Sequence, residues 1–147
     1  MVSVSMIFTN LISIRLLRKY GDRQNPQINE ELSQKIFVEE REKPEILCRI
    51  CRHPISTVDD MAEIHGSHFH TFRNPAGIVF RIRCFSSADG CTVVGTPTRK
   101  DSWFPECSWS YALCSKCLSH LGWFYQSDDK SFFGLIQENI IESTSMH

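Results

Sequence analysis

The chain has 147 residues, with 16 Lys and Arg against 17 Asp and Glu, a net charge of −1. It is sized for one domain and lacks the basic excess that nucleic-acid binding uses, so no nucleic-acid partner is expected. Hydrophobic residues at 41% and charged residues at 22% are ordinary for a globular protein, and seven cysteines cannot all pair within the chain.

Met1 to Leu17, MVSVSMIFTNLISIRLL, is mildly apolar and diluted by Ser, Thr and Asn. Basic residues do not precede the apolar run, and no clear small-residue cleavage site follows it. It falls short of the about 20 apolar residues that a membrane span needs. A weak export signal, a buried element and an unstructured start all fit, so secreted and cytoplasmic locations both stay open. Arg18 to Asn29, with Gly21 and Pro26, reads as a linker. Asn29 is placed to cap a short helix over Glu30 to Arg41, in which Leu32, Ile36 and Phe37 share a face. Glu31 would stand one turn before Lys35, and Pro44 ends the element. Residues 1–45 are therefore expected to form a tail, partly helical or disordered.

From Ile46 the texture changes. Short apolar runs, GIVFRIRCF, CTVVG, WSYALC, GWFYQ and FFGLI, alternate with turn residues such as Asn74-Pro75, Asp89-Gly90 and Gly95. This pattern predicts an antiparallel β domain over residues 46–142, with 143–147 as a C-terminal tail. SSADG, between FRIRCF and CTVVG, reads as a hairpin loop. On that reading Cys84 and Cys91 face each other across two strands, as a disulfide or as two half-buried thiols.

Two C-x-x-C pairs, Cys48/Cys51 and Cys114/Cys117, stand far apart in sequence. A short knuckle turn brings both sulfurs of each pair to one side, and two knuckles complete a tetrahedral four-sulfur site. The spacing predicts Zn2+. With four protein ligands no position is left for water, so the metal is expected to be structural and to clamp the start of the domain to a late segment. Two redox pairs would call for a βαβ setting that the sequence lacks. His53 and His120 lie near the pairs and are read as surface or hydrogen-bonding histidines.

All three tryptophans, Trp103, Trp109 and Trp123, fall between positions 103 and 123. Two of them bracket FPECS with its rigid proline. The residues alone leave two readings open, a buried aromatic core and a pocket with flat apolar walls and fixed backbone donors and acceptors.

The ordered set LCRIC, RNPAG, DSWFPECSW, LCSKC, SHLGW and FFGL, from Leu47 to Leu135, closely resembles the CULT family, the thalidomide-binding domains of cereblon. The resemblance implies an all-β β-tent fold, two antiparallel sheets meeting at an angle and pinned by zinc on four cysteines. It implies that Trp103, Trp109 and Trp123 wall a small cage for glutarimide or a related cyclic imide. The imide N–H and a carbonyl would bond to the backbone of Asp101, Ser102 and Trp103. Asn74 would reach the ligand's outer edge, and Tyr125 would close the floor. The implied function is non-enzymatic binding of a small-molecule cyclic imide, uracil-like or glutarimide, or of a peptide ending in one. The Lon-like domain and helical segment that dock cereblon onto its cullin-ligase adaptor find no match in these residues, so no direct adaptor docking is expected.

Four positions depart from the family. Asp101 replaces a histidine, which would repel acidic ligands and favour a cationic one. Glu106 and Cys107 stand where Gly and an aromatic are common, and Ala76 stands in a loop that usually reads N-P-H-G. Two other functions compete. One is a cage for an organic cation, with countercharge from Asp101 or Glu106. The other is an enzyme like methionine sulfoxide reductase B, which shares the tent fold and an HLG segment. That family needs a nucleophilic cysteine near its C-terminus, and this sequence has none after Cys117.

Overall fold

The computed structural model describes residues 43–144 together with Glu30, Leu32 and Gln34. The chain divides into two units, Met1–Arg41 and Glu42–His147. In the first, Glu30, Leu32 and Gln34 are helical, inside the predicted Glu30 to Arg41 helix. The Asn29 cap, the rest of that helix and the Met1 to Leu17 segment lie outside the described residues. Among the described residues, no helix is long and apolar enough to cross a membrane.

The second unit is all-β, with two antiparallel sheets, as expected. The first sheet joins β1 (Glu45–Cys48), β2 (Pro54–Thr57) and β9 (Ile140–Glu142) in the order β2-β1-β9. Ser143 extends the ladder, donating its N–H to the Glu45 carbonyl at 2.8 Å. The second sheet contains β3 (Phe69–Arg73), β4 (Val79–Phe85), β5 (Cys91–Thr98), β6 (Ser108–Cys114), β7 (His120–Gln126) and β8 (Ser131–Ile136). Their order is β3-β4-β8-β7-β6-β5.

That order overturns the predicted hairpin. β4 and β5 are separated by β8, β7 and β6, so Ser86 to Gly90 is a crossing, and Cys84 and Cys91 do not face each other. Turn chemistry marked where the chain bends but not which strand it joins. The crossing is clamped against β2, where the Gly90 N–H bonds to the Ile55 carbonyl at 3.1 Å. A Cβ at Gly90 would come within 2.0 Å of the Pro54 carbonyl oxygen, so glycine is required there by close backbone approach.

The central strands of the six-stranded sheet are buried on both faces. One face contributes Phe85, Leu121 and Leu135 to a core shared with Ile46, Ile55 and Ile140 of the small sheet. The other contributes Ile82, Trp123, Tyr125, Phe132 and Ile136 to a second, aromatic core around Phe104. Consecutive residues of β8 thus serve different cores, which is why FFGLI reads as an unbroken apolar run. Arg83 of β4 ties the sheets together, reaching Glu142 of β9 at 3.4 Å while donating through Nε to His68 at 3.2 Å.

Candidate metal centre and aromatic cavity

Each C-x-x-C pair closes a hairpin. The first knuckle joins β1 to β2 and the second joins β6 to β7. Their backbones match bond for bond. The Cys48 N–H reaches the His53 carbonyl and the Arg52 N–H the Cys48 carbonyl, both at 2.9 Å. In the second knuckle the Cys114 N–H reaches Ser119 and the Leu118 N–H reaches Cys114, again at 2.9 Å. Arg52 and Leu118 both take the left-handed backbone conformation that turns each knuckle, with φ of 63° and 60°.

The knuckles meet with all four sulfurs within 4.8 Å of one another. Cys48 and Cys117 approach to 3.7 Å and Cys51 and Cys114 to 3.5 Å. A tetrahedral thiolate site with bonds of about 2.3 Å needs sulfurs about 3.8 Å apart, so the cluster could hold a metal ion. Sulfur-directed donors surround it. The Ser119 hydroxyl lies 3.1 Å from Cys117 and 3.5 Å from Cys48. Hydrogen bonds from the Ser119 side chain and N–H hold the Cys117 thiol down at about 6. His53 and Ser115 share a 3.0 Å hydrogen bond from one knuckle to the other. His53 is thus a hydrogen-bonding residue beside the cluster.

The remaining thiols are of another kind. Cys84, Cys91 and Cys107 are free, and burial pushes Cys84 and Cys91 up to about 12 and raises Cys107 as well. None of the three lines the cavity described next.

Strand register builds the aromatic site. Trp109 pairs with Tyr125 and Tyr111 with Trp123 across β6 and β7. Directly opposed residues in an antiparallel pair share a face, so these four rings form one patch. The turn before β6 supplies the opposing wall. Phe104 and Cys107 close it with a 2.8 Å backbone hydrogen bond, with Pro105 in the position that its fixed φ suits. Phe104, fully buried, anchors the turn edge-on against Tyr125, Phe132 and Phe72. Trp103 is thereby set against Trp123, with centroids 4.9 Å apart at 77°, while Phe80 meets both rings. Two indole N–H groups lock the surrounding loops, Trp103 to the Arg73 carbonyl at 3.3 Å and Trp109 to the Lys100 carbonyl at 2.9 Å.

The result is a cavity of about 350 Å³. Six of the seven expected ligand-site residues line it: Asn74, Asp101, Trp103, Trp109, Trp123 and Tyr125. Ser102 is beside it rather than in its wall, its hydroxyl donating to the Phe104 carbonyl at 2.8 Å. The Asn74 side-chain carbonyl is engaged by the Ile78 N–H at 2.8 Å, holding the β3–β4 loop. Glu106 does not line the cavity; Lys130 and His65 engage it at 2.9 and 2.7 Å.

Phe80, Tyr111 and His120 also line the cavity, beyond the residues expected there from sequence. The His120 Nε2–H donates to the Gly122 carbonyl at 2.9 Å, and burial lowers its pKa, so the ring is neutral at neutral pH. Its edge meets both Trp123 and Tyr111. Regular alternation from Trp123 would place Leu121 in the cavity. The register shift opposite Ala112/Leu113 reverses that parity, so Leu121 enters the other core and His120 faces the indoles.

No family model matches the chain. It is 32% identical to the protein cereblon of Danio rerio over 73 residues, which is 46% of this chain and 17% of that protein. It is 36% identical to the protein cereblon of Xenopus tropicalis over 67 residues, 42% of this chain and 15% of that one. The chain thus spans less than a fifth of the length of these curated relatives. Among solved structures, the crystal structure of the Mis18 "Yippee-like" domain matches with a TM-score of 0.51 at 16% identity, over 71% of this chain and 99% of that domain. The chain is a distant homologue of cereblon across somewhat under half its length, built on a fold shared with a Yippee-like domain.

Proposed function

We propose that residues 46–142 are a non-enzymatic binding module for a cyclic imide, held in shape by structural Zn2+ on Cys48, Cys51, Cys114 and Cys117. The observation that carries this reading is the cavity walled by three indoles beside a turn locked at both ends. Indole faces suit the methylene edge of an imide ring, and the backbone of residues 101–103 suits its donor flanked by two acceptors. An imide group buried without such partners would lose about 1–3 kcal/mol. A four-sulfur site leaves zinc no open coordination position, which fits a clamp and not a Lewis acid. Buried, protonated thiols away from the cavity favour binding over thiol catalysis.

The test is titration of the metal-loaded protein with a fluorescent glutarimide. Saturable binding is expected, competed by unlabelled glutarimide and lost in Trp103→Ala with the metal retained. A folded, zinc-loaded protein that binds neither glutarimide nor uracil would overturn the reading.

A further inference from the structure

We propose that Asp101 makes the cavity selective for charge, so that the imide it accepts carries a cationic group beyond the ring. This deepens the imide reading and rests on it. Asp101 is the one carboxylate among the lining residues, and no lysine or arginine joins it there. Among the described residues its carboxylate has no hydrogen-bond or ion-pair partner. Glu106, the acid of the following turn, is already engaged by Lys130 and His65. The countercharge that either acid could have supplied therefore comes from Asp101.

The position of Asp101 is fixed by the fold. Its φ is 57°. On one side the Lys100 carbonyl is held by the Trp109 indole at 2.9 Å, and the Ser102 N–H closes back onto the Arg99 carbonyl at 3.2 Å. Asp101 is solvent-exposed while lining the cavity, which puts the residue at the rim. Inside, Trp103, Trp109, Trp123 and Phe80 present π systems, whose negative faces attract the same sign of charge as the carboxylate does. His120 adds no opposing charge, because its buried ring is neutral at neutral pH. Arg99 and Lys100 precede Asp101 but do not line the cavity, and the Arg73 guanidinium is bonded to the Gly77 carbonyl at 2.9 Å. A volume of about 350 Å³ lies within the range of pockets that enclose drug-sized ligands, leaving room beyond a bare imide ring.

The experiment compares three glutarimides that differ at one ring carbon. The first carries a neopentyl group, the second its charged isostere with trimethylammonium in place of tert-butyl, and the third a carboxymethyl group. Titrated into the metal-loaded full chain at neutral pH, the cation is expected to bind roughly five- to tenfold tighter than its neutral isostere. The acid is expected to bind weaker than both. Asp101→Asn should erase the spread, read as the ratio of the three affinities, and asparagine tolerates the left-handed backbone at this position. In the unaltered protein the spread should narrow as salt is raised. Equal binding of all three compounds would overturn the charge selectivity and leave the imide reading standing. A spread that persists in Asp101→Asn, or that ignores salt, would remove Asp101 from the explanation. Failure of all three and of glutarimide itself would overturn the imide reading and this inference together.

Discussion

The four-cysteine end and the aromatic end of this domain are built by different means. The four cysteines sit on two copies of one local device, a short turn whose backbone bonds repeat from Cys48 to Cys114. Little else has to be right for each pair of sulfurs to converge. The aromatic end has no such local unit. Its walls come from the β3–β4 hairpin, the turn before β6 and two strands whose register shift turns His120 inward, and Phe104 alone meets rings from β3, β7, β8 and the loop at His65. The difference teaches that a cluster of sulfurs can be specified by spacing, whereas this cavity is specified by the completed fold.

Breaking the four-cysteine end should have the larger effect. Cys114→Ser, or a strong chelator, is expected to remove the metal and unfold the domain, since small metal-clamped folds lose their stability with the ion. Circular dichroism and metal content measured together check this, and a folded protein stable in chelator would count against the clamp. Phe104→Ala is expected to cost about 3–5 kcal/mol by urea unfolding, as for other buried phenylalanines, with the cysteine cluster still loaded. A loss of stability under about 1 kcal/mol would show that the turn has another anchor. Trp103→Ala, at the half-buried wall, should leave fold and metal in place while imide affinity falls roughly thirtyfold or more. Unchanged affinity would return that indole to a packing role.

The smallest effect concerns pH. The Lys130 hydrogen bond, with a contribution from His65, holds the Glu106 carboxyl down at about 2 against an ordinary 4.5. The unfolded chain therefore takes up this proton first as the solution is acidified. The Glu106 contribution is whole above about pH 4.5 and fades as pH falls toward 2. Glu106→Gln should lower Tm at pH 7, and the same substitution made in Lys130→Met should lower it less. With the carboxylate 37% exposed, solvent screening keeps this effect modest. Equal Tm losses in both backgrounds would assign Glu106 a packing role only.

The sequence carried the two ends unequally. C-x-x-C spacing is local chemistry, and both pairs were readable without knowing any strand partner. The three tryptophans were readable as a group, and so was the turn holding Trp103, because proline and aromatic spacing are local too. Tyr111 had a usable signal, two residues after Trp109 on the same strand face. Phe80 had none, because its place beside Trp103 and Trp123 depends on which strands the sheet puts together. His120 was hidden by the register shift in β7, where simple alternation points to Leu121 instead. The hairpin expected over SSADG failed for the same reason: a turn signal states that the chain bends and not where it goes.

The two-faced burial of β8 has a consequence for how this domain tolerates change. Phe132 and Ile136 belong to the core under the cavity, while Phe133 and Leu135 pack toward the core beside the cysteines. A saturation scan along this one strand should therefore sort into two interleaved series. Even-numbered positions would record damage to ligand uptake, and odd-numbered ones would record damage to metal retention. A six-residue segment that supplies neither a cavity wall nor a sulfur would thus act as a ruler with both ends of the molecule marked on it.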